Sequence, residues 1–194
     1  MRDTNSTNGN AGHAGGTPGF VHLRVHSAYS LLEGALPLKK VMSKAVSDGQ
    51  PAIAITDTNN LFVALEFSEK ARDEGLQPII GCQVSVDMED AIEERRSNNL
   101  AKLPALVFLA ATAAGYERLV DLISRAYLDG ESGQSVRVNR SWLEEGDNDG
   151  LIVLTGASGG PVDMALKDGH TALAEKRLLA LKGLFGNRLY MELQ

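Results

Sequence analysis

The sequence predicts an α/β fold, a mostly parallel sheet or barrel with helices on its outside, and three observations predict it. Short apolar runs recur along the chain: "PAIAIT" (51–56), "QPIIGCQVSV" (77–86), "ALVFLAA" (105–111) and "GLIVLTG" (150–156). Between them lie longer stretches whose apolar residues return every three or four positions, the period of an amphipathic helix. Gly or Pro punctuates most of the junctions, as expected where a helix must stop or a chain must turn. Strands alternating with helices are joined by crossovers, and in such folds chemistry gathers at the C-terminal ends of the strands.

The elements follow in order. Residues 1–19, "MRDTNSTNGNAGHAGGTPG", hold almost nothing to bury and read as a disordered tail, with His13 a bystander. In "FVHLRVH" (20–26) Phe20, His22, Arg24 and His26 share one parity, and Val21, Leu23 and Val25 the other. A strand there sets two imidazoles and a guanidinium on one face with an aliphatic row behind. Pro37 opens a helix where its missing N–H is harmless. Leu38, Val41, Met42, Ala45 and Val46 form its apolar stripe, and Gly49 and Pro51 end it. After the strand at 51–56 come the polar loop "DTNN", a helix from Leu61 to Glu74 closed by Gly75, and the strand at 77–86.

Charged residues 87–104 read as a surface insertion before the strand at 105–111. The next helix carries Tyr116, Leu119, Val120, Ile123 and Tyr127 on one side. A short helical turn around Trp142, the strand at 150–156, helices at 160–167 and 171–185, and a strand at 188–194 complete the chain.

Composition narrows the function. Nineteen Lys and Arg face 25 Asp and Glu, a net charge of −6, so the chain is a poor candidate for gripping DNA by itself. The concentrated basic pairs, Lys39-Lys40 and Arg95-Arg96, read as solvated surface. Cys82 is the only cysteine, which excludes an internal disulfide and a Cys-based zinc site and suggests a reducing, cytoplasmic setting. No apolar run has the length of a membrane span, and the N-terminus lacks the pattern of a secretory signal, so no membrane partner is expected.

The strand ends offer His26 with the loop to Glu33, then Asp57 and Thr58, Gln83, Ala110 and Thr112, and Thr155 to Gly160. A divalent ion needs at least three placed donors. His22, His26, Glu33 and Asp57 just reach that count, but Arg24 stands among them and a fixed positive charge repels a cation. Arg24 is therefore expected to ion-pair with Asp57 or Glu33. "TGASGG" (155–160) lacks the Walker lysine and reads as a tight strand-to-helix turn rather than a phosphate cradle. "HSAYS" places serines near His26 without an acid to orient the imidazole, so a nucleophilic triad is weak. His170 reads as a solvated neighbour of a helix cap.

Together "FVHLRVHSAYSLLEGA", "PAIAITDTNNLFVALEF", "GLQPIIGCQV", "GYERLVDLISRAYLDG", "GLIVLTGASGG" and "LYMELQ" resemble the polymerase-and-histidinol-phosphatase (PHP) domains that open bacterial replicative DNA polymerase III alpha subunits. The resemblance runs from Phe20 to Gln194. It implies a distorted seven-stranded β/α barrel of TIM-like kind, truncated near its C-terminal end, within a longer polymerase chain. In metal-binding members the first block reads H-x-H, whose first histidine falls on Arg24 here while the second is kept as His26. The family aspartate of "SLLDG" is matched by Glu33. The histidine of "DHGN" falls on Thr58, with the preceding acid kept as Asp57. The glutamate of "GCE" is Gln83, the histidine opening the fourth strand is Ala105, and the cysteine of "SGCLGG" is Ala157.

On that resemblance the metal site is degenerate, with no metal, no catalytic residue and no cofactor in this chain, Mg2+ being needed only by the parent polymerase's palm. The implied partners are the remaining polymerase domains (thumb and palm) and, in some bacteria, the proofreading exonuclease subunit, with DNA met only through the parent chain. The alternative the resemblance leaves is a residual metal-dependent phosphoesterase acting on DNA ends or pyrophosphate.

Overall fold

A computed structural model describes residues 19–31, 33–90, 103–129 and 135–193. Six strands form one sheet: β1 (Ala52–Ile55), β2 (Gln77–Asp87), β3 (Ala105–Ala110), β4 (Val138–Asn139), β5 (Leu151–Leu154) and β6 (Leu189–Tyr190). Their order is β1-β2-β3-β5-β6, with β4 also on β2. The pairs β1–β2, β2–β4 and β5–β6 are parallel, but β3 runs antiparallel to both its neighbours. The expected mostly parallel sheet is therefore a mixed one. The reason lies between β2 and β3, which are sheet neighbours that pair antiparallel, so the stretch joining them need not form a crossover helix.

Helices α1 (Leu38–Ser47), α2 (Ala64–Asp73), α3 (Ala113–Leu128), α4 (Arg140–Glu145), α5 (Pro161–Lys167) and α6 (Thr171–Phe185) match the predicted elements within a few residues. Alternation along the strands divides the core. Ile53 and Ile55 of β1 pack with Val41, Met42 and Phe67 of α1 and α2. Leu106 and Phe108 of β3 and Leu151 and Val153 of β5 pack with residues of α3, α5 and α6. The intervening Ala54, Val107, Leu109 and Leu154 form a small cluster on the other face. All the helices thus share one face, and each fully buried Phe or Leu there contributes about 1.5–3 kcal/mol. Phe108 meets Phe185 edge-on at 6.0 Å.

One predicted stripe is rotated, and another loses its last residue. On α3 the buried residues are Gly115, Leu119, Leu122, Ile123 and Ala126, whereas Tyr116, Val120 and Tyr127 lie on the exposed flank. Gly115 sets this rotation, because a Cβ on it would stand 1.9 Å from the Gly150 carbonyl oxygen, so the helix backbone touches the turn before β5. On α1, Val46 is exposed.

The segment 20–26 is no strand of the sheet and bends at Leu23. It lies along β1, with the amides of Ala54 and Thr56 donating to the carbonyls of His22 and Val25. Side chains take the other bonds: His22 N–H donates to Gln50 Oε1 and Val25 N–H to Thr56 Oγ1. Leu23, expected in the buried row, is exposed, while Val25 packs on the α1–α2 core. The last strand covers only residues 189–190 of the predicted 188–194. Most of the predicted tail and residues 91–102 of the predicted insertion lie outside the described residues, but 87–90 are anchored. Asp87 pairs with Arg137, Glu89 accepts from Ser141 at the start of α4, and Asp90 is held by Arg177.

Candidate functional site

Strand direction decides which predicted residues meet. The C-terminal ends of β1, β5 and β6 and the N-terminal end of the antiparallel β3 lie at one end of the sheet. That end collects Asp57, Thr58, Gln83, Ala105, Gly156, Ala157 and the residues following β6. Ala110 and Thr112 sit at the opposite end because β3 is reversed, and Thr112 caps α3 by accepting from the Gly115 amide at 3.1 Å. Gln83 lies mid-way along β2, level with the end of the shorter β1. Its amide donates to the Asp57 carbonyl and its carbonyl accepts from Asn59, a bridge that sets Gln83 beside Thr58.

One continuous polar chain spans this mouth. The Arg24 guanidinium donates to Gln83 Oε1 from Nε at 3.0 Å and from Nη2 at 2.6 Å. Its Nη1 donates to Glu192 Oε1 at 3.0 Å and to the Gly156 carbonyl at 3.3 Å. The Gln83 amide in turn donates to Thr58 Oγ1 at 3.2 Å, and the Thr58 hydroxyl donates to Glu33 Oε2 at 2.5 Å. The same Glu33 oxygen lies 3.4 Å from His26 Nδ1. So Arg24, His26, Glu33, Thr58 and Gln83 are brought together and joined to one another.

The ion pair expected between Arg24 and Asp57 or Glu33 is replaced by one to Glu192, both side chains being mostly buried. The cause is that both predicted acids are already committed. Glu33 faces Thr58 and His26, and Asp57, 1% exposed, is held by serines. Asp57 Oδ1 accepts from the Ser27 amide at 2.7 Å and the Ser30 hydroxyl at 2.6 Å, and Oδ2 accepts from the Ser27 hydroxyl at 2.6 Å. Those two serines also accept from the backbone amides of Tyr29 and Thr58, so the acid organises the "HSAYS" loop. Glu192 follows the strand-end rule that collected the other residues, but the predicted strand at 188–194 put it inside the strand, whereas β6 stops at Tyr190.

Ala105 and Ala157 bring no donor to the mouth, and the turn at 155–160 is tight. Gly156 has φ +81°, and a Cβ there would lie 2.0 Å from the Ala105 carbonyl oxygen. Ala157 follows at φ +43° in a 3-10 turn, and Pro161 then starts α5. Cys82 lies beneath the loop with Sγ 3.1 Å from the Asp57 carbonyl oxygen. Burial pushes its thiol up to about 12, and the negative charge of Asp57 adds to the effect. His170 is exposed at the start of α6 without a side-chain cap bond.

The chemistry of this donor set bears on metals. Among the described residues no group of three or more His, Cys, Asp or Glu side chains converges as a metal site would require. The centre of the mouth instead holds a guanidinium whose partners are a neutral amide, a carbonyl and one carboxylate. Such a set does not suit a divalent cation, whose approach Arg24 opposes. His26 Nε2 and Glu192 Oε2 are the buried oxygen and nitrogen atoms of this network left without a partner.

A strand-end mouth built on a helix-covered mixed sheet places the chain in a class, and the match to a family agrees with it. The family model for the PHP domain covers residues 22–194, and the chain belongs to that family. Curated relatives that it matches are DNA polymerase III alpha subunits. It is 42% identical over 177 residues to the DNA polymerase III subunit alpha of Caulobacter vibrioides, and 36% identical over 176 residues to that of Escherichia coli. The matched stretch is the N-terminal region of these subunits. Each alignment takes in 91% of this chain but only 15% and 14% of the relatives, so the chain spans about a seventh of their length. Among solved structures, an amidohydrolase from Chromobacterium violaceum shares 22% identity and a TM-score of 0.42 over 55% of this chain and 32% of its own.

Proposed function

We propose that this chain is a non-catalytic PHP module of a bacterial DNA polymerase III alpha subunit, an architectural domain for the polymerase it belongs to. The observation that carries the reading is Arg24, whose cationic head occupies the mouth and is shared among Gln83, Gly156 and Glu192. A protein-fixed positive charge takes the place a cation would need, while Ala105, Ala157 and Thr58 supply weak donors or none. On this reading the six-stranded sheet, with the 20–26 segment lying beside β1, belongs to a distorted barrel of the PHP kind.

The parent chain performs template-directed DNA synthesis with Mg2+ bound outside this module. The module's partners are the thumb and palm of that chain and the proofreading exonuclease subunit, and the setting is cytoplasmic. No helix among the described residues is long and apolar enough to cross a membrane, and the acidic balance suits protein partners better than direct DNA contact.

The test is metal content and hydrolysis measured together. Purified chain is dialysed against Mn2+ or Zn2+, analysed for bound metal, and assayed on a phosphodiester substrate beside His26→Ala. The expected result is sub-stoichiometric metal and no turnover that His26→Ala removes. Stoichiometric metal with His26-dependent turnover would establish the phosphoesterase alternative.

A further inference from the structure

We infer that Arg24 and Glu192 form a latch that closes the sheet across its mouth, so that its two margins open together. In the sheet the 20–26 segment flanks β1 at one margin and β6 forms the other. Yet Arg24 of the first segment reaches Glu192, just beyond β6, at 3.0 Å and across 168 residues of sequence. The sheet is therefore curled until its margins face each other, and what joins them there is side chains. The same guanidinium also grips Gly156 just after β5 and Gln83 of β2, so one residue touches the ends of three strand positions around the mouth.

β6 and the residues after it need such a latch because little else holds them. β6 pairs through only Leu189 and Tyr190. Beyond the ladder its backbone is tied by the Tyr190 carbonyl accepting from Thr155 and the Glu192 amide donating to Thr155 Oγ1, each at 3.0 Å. Apolar burial is slight: Tyr190 and Met191 are half exposed and Leu193 is 90% exposed. The opposite margin has no continuous ladder: Phe20 is 72% exposed, and side chains of Gln50 and Thr56 stand in for part of the backbone bonding along 20–25. Two loosely held edges sharing one mostly buried ion pair form a coupled unit, because freeing either end strands the other's charge. The inference stands on these contacts whether or not the module hydrolyses anything.

Hydrogen exchange on the full-length chain tests it, following peptides 20–30, 186–193 and, as a reference, the α2 region 64–73. Glu192→Ala is expected to speed exchange about tenfold in both 20–30 and 186–193 while leaving 64–73 unchanged. Arg24→Lys is expected to do the same, since one ammonium cannot serve Gln83, Gly156 and Glu192 at once. An effect confined to 186–193, no effect, or a uniform rise across all three peptides overturns the latch. Should Glu192→Ala not accumulate as folded protein, Arg24→Lys read against the same three peptides decides the matter.

Discussion

Replacing Asp57 with alanine removes an acceptor at the one place where three donors converge on a carboxylate that is 1% exposed. The hydroxyls of Ser27 and Ser30 each accept a backbone N–H, from Tyr29 and Thr58, while donating their own protons to Asp57. Each hydrogen bond to a charged group is worth about 1.5–3 kcal/mol, so three of them set the upper limit. The cost is lowered because the wild-type carboxylate is itself buried without a cation beside it. A net loss of about 3–5 kcal/mol is expected for Asp57→Ala. Asp57→Asn keeps the Oδ1 position, with its two donors, and turns the other oxygen into an N–H donor facing Ser27. That displaces one hydroxyl proton and is expected to cost about 1–2 kcal/mol.

Urea unfolding followed by the fluorescence of Trp142, the only tryptophan in the sequence, reads both variants. Both residues touch Gln83, Arg24 with its side chain and Asp57 with its backbone carbonyl, but the Asp57 carboxylate shares no partner with the guanidinium, so Arg24→Ala and Asp57→Asn are expected to be additive within about 0.5 kcal/mol. A coupling above about 1 kcal/mol, or an Asp57→Ala variant as stable as wild type, would refute the assignment of Asp57 to the serine loop.

Two further outcomes follow from other buried groups. Arg177, 9% exposed, grips both oxygens of Asp90 and the Pro161 carbonyl, so Arg177→Lys, which cannot make the forked contact, should destabilise by about 2 kcal/mol in the same unfolding assay. Cys82 should resist iodoacetamide at pH 8 in the folded chain and react fully in urea, read by mass spectrometry of its peptide. Its thiol is raised from 9.0 to about 12, so the folded state holds a proton that the unfolded state releases; stability is unaffected below pH 9 and falls above it, approaching ~1.4 kcal/mol per pH unit until about pH 12.

Helices were the most legible part of the chain. Leu38, Val41, Met42 and Ala45 repeat at helical spacing and are buried, and Pro37 and Gly49 bracket α1 closely. What periodicity left open was which of two neighbouring stripes turns inward. On α3 that was settled by a backbone contact at Gly115, which has no side chain to contribute to a pattern. Alternation in "FVHLRVH" suggested a ladder strand, but the long-range side chains of Gln50 and Thr56 supply bonds that no local reading foresees.

The site was legible as a set and not as a set of pairs. Arg24, His26, Glu33, Thr58 and Gln83 do converge, since each lies at a predicted strand end or in a loop beside one. Who bonds to whom depends on strand direction and on competition for each acid. The reversal of β3 sent Thr112 to the far end, and the serines of the "HSAYS" loop claimed Asp57 before Arg24 could. Glu192 was overlooked because the strand was expected to run on to 194, whereas β6 ends at Tyr190 and leaves Glu192 just beyond it.

The eleven-residue β2 pairs with β1, β3 and β4, and its residues pass from the core beneath α1 and α2 into that beneath α3 and α6. A cut between β1 and Asp87 therefore separates residues that share one core. During synthesis the first two helices must wait, unburied on one side, until this strand has emerged. The protein is in that sense indivisible, and a permuted or split version would have to spare residues 77–87 to assemble at all.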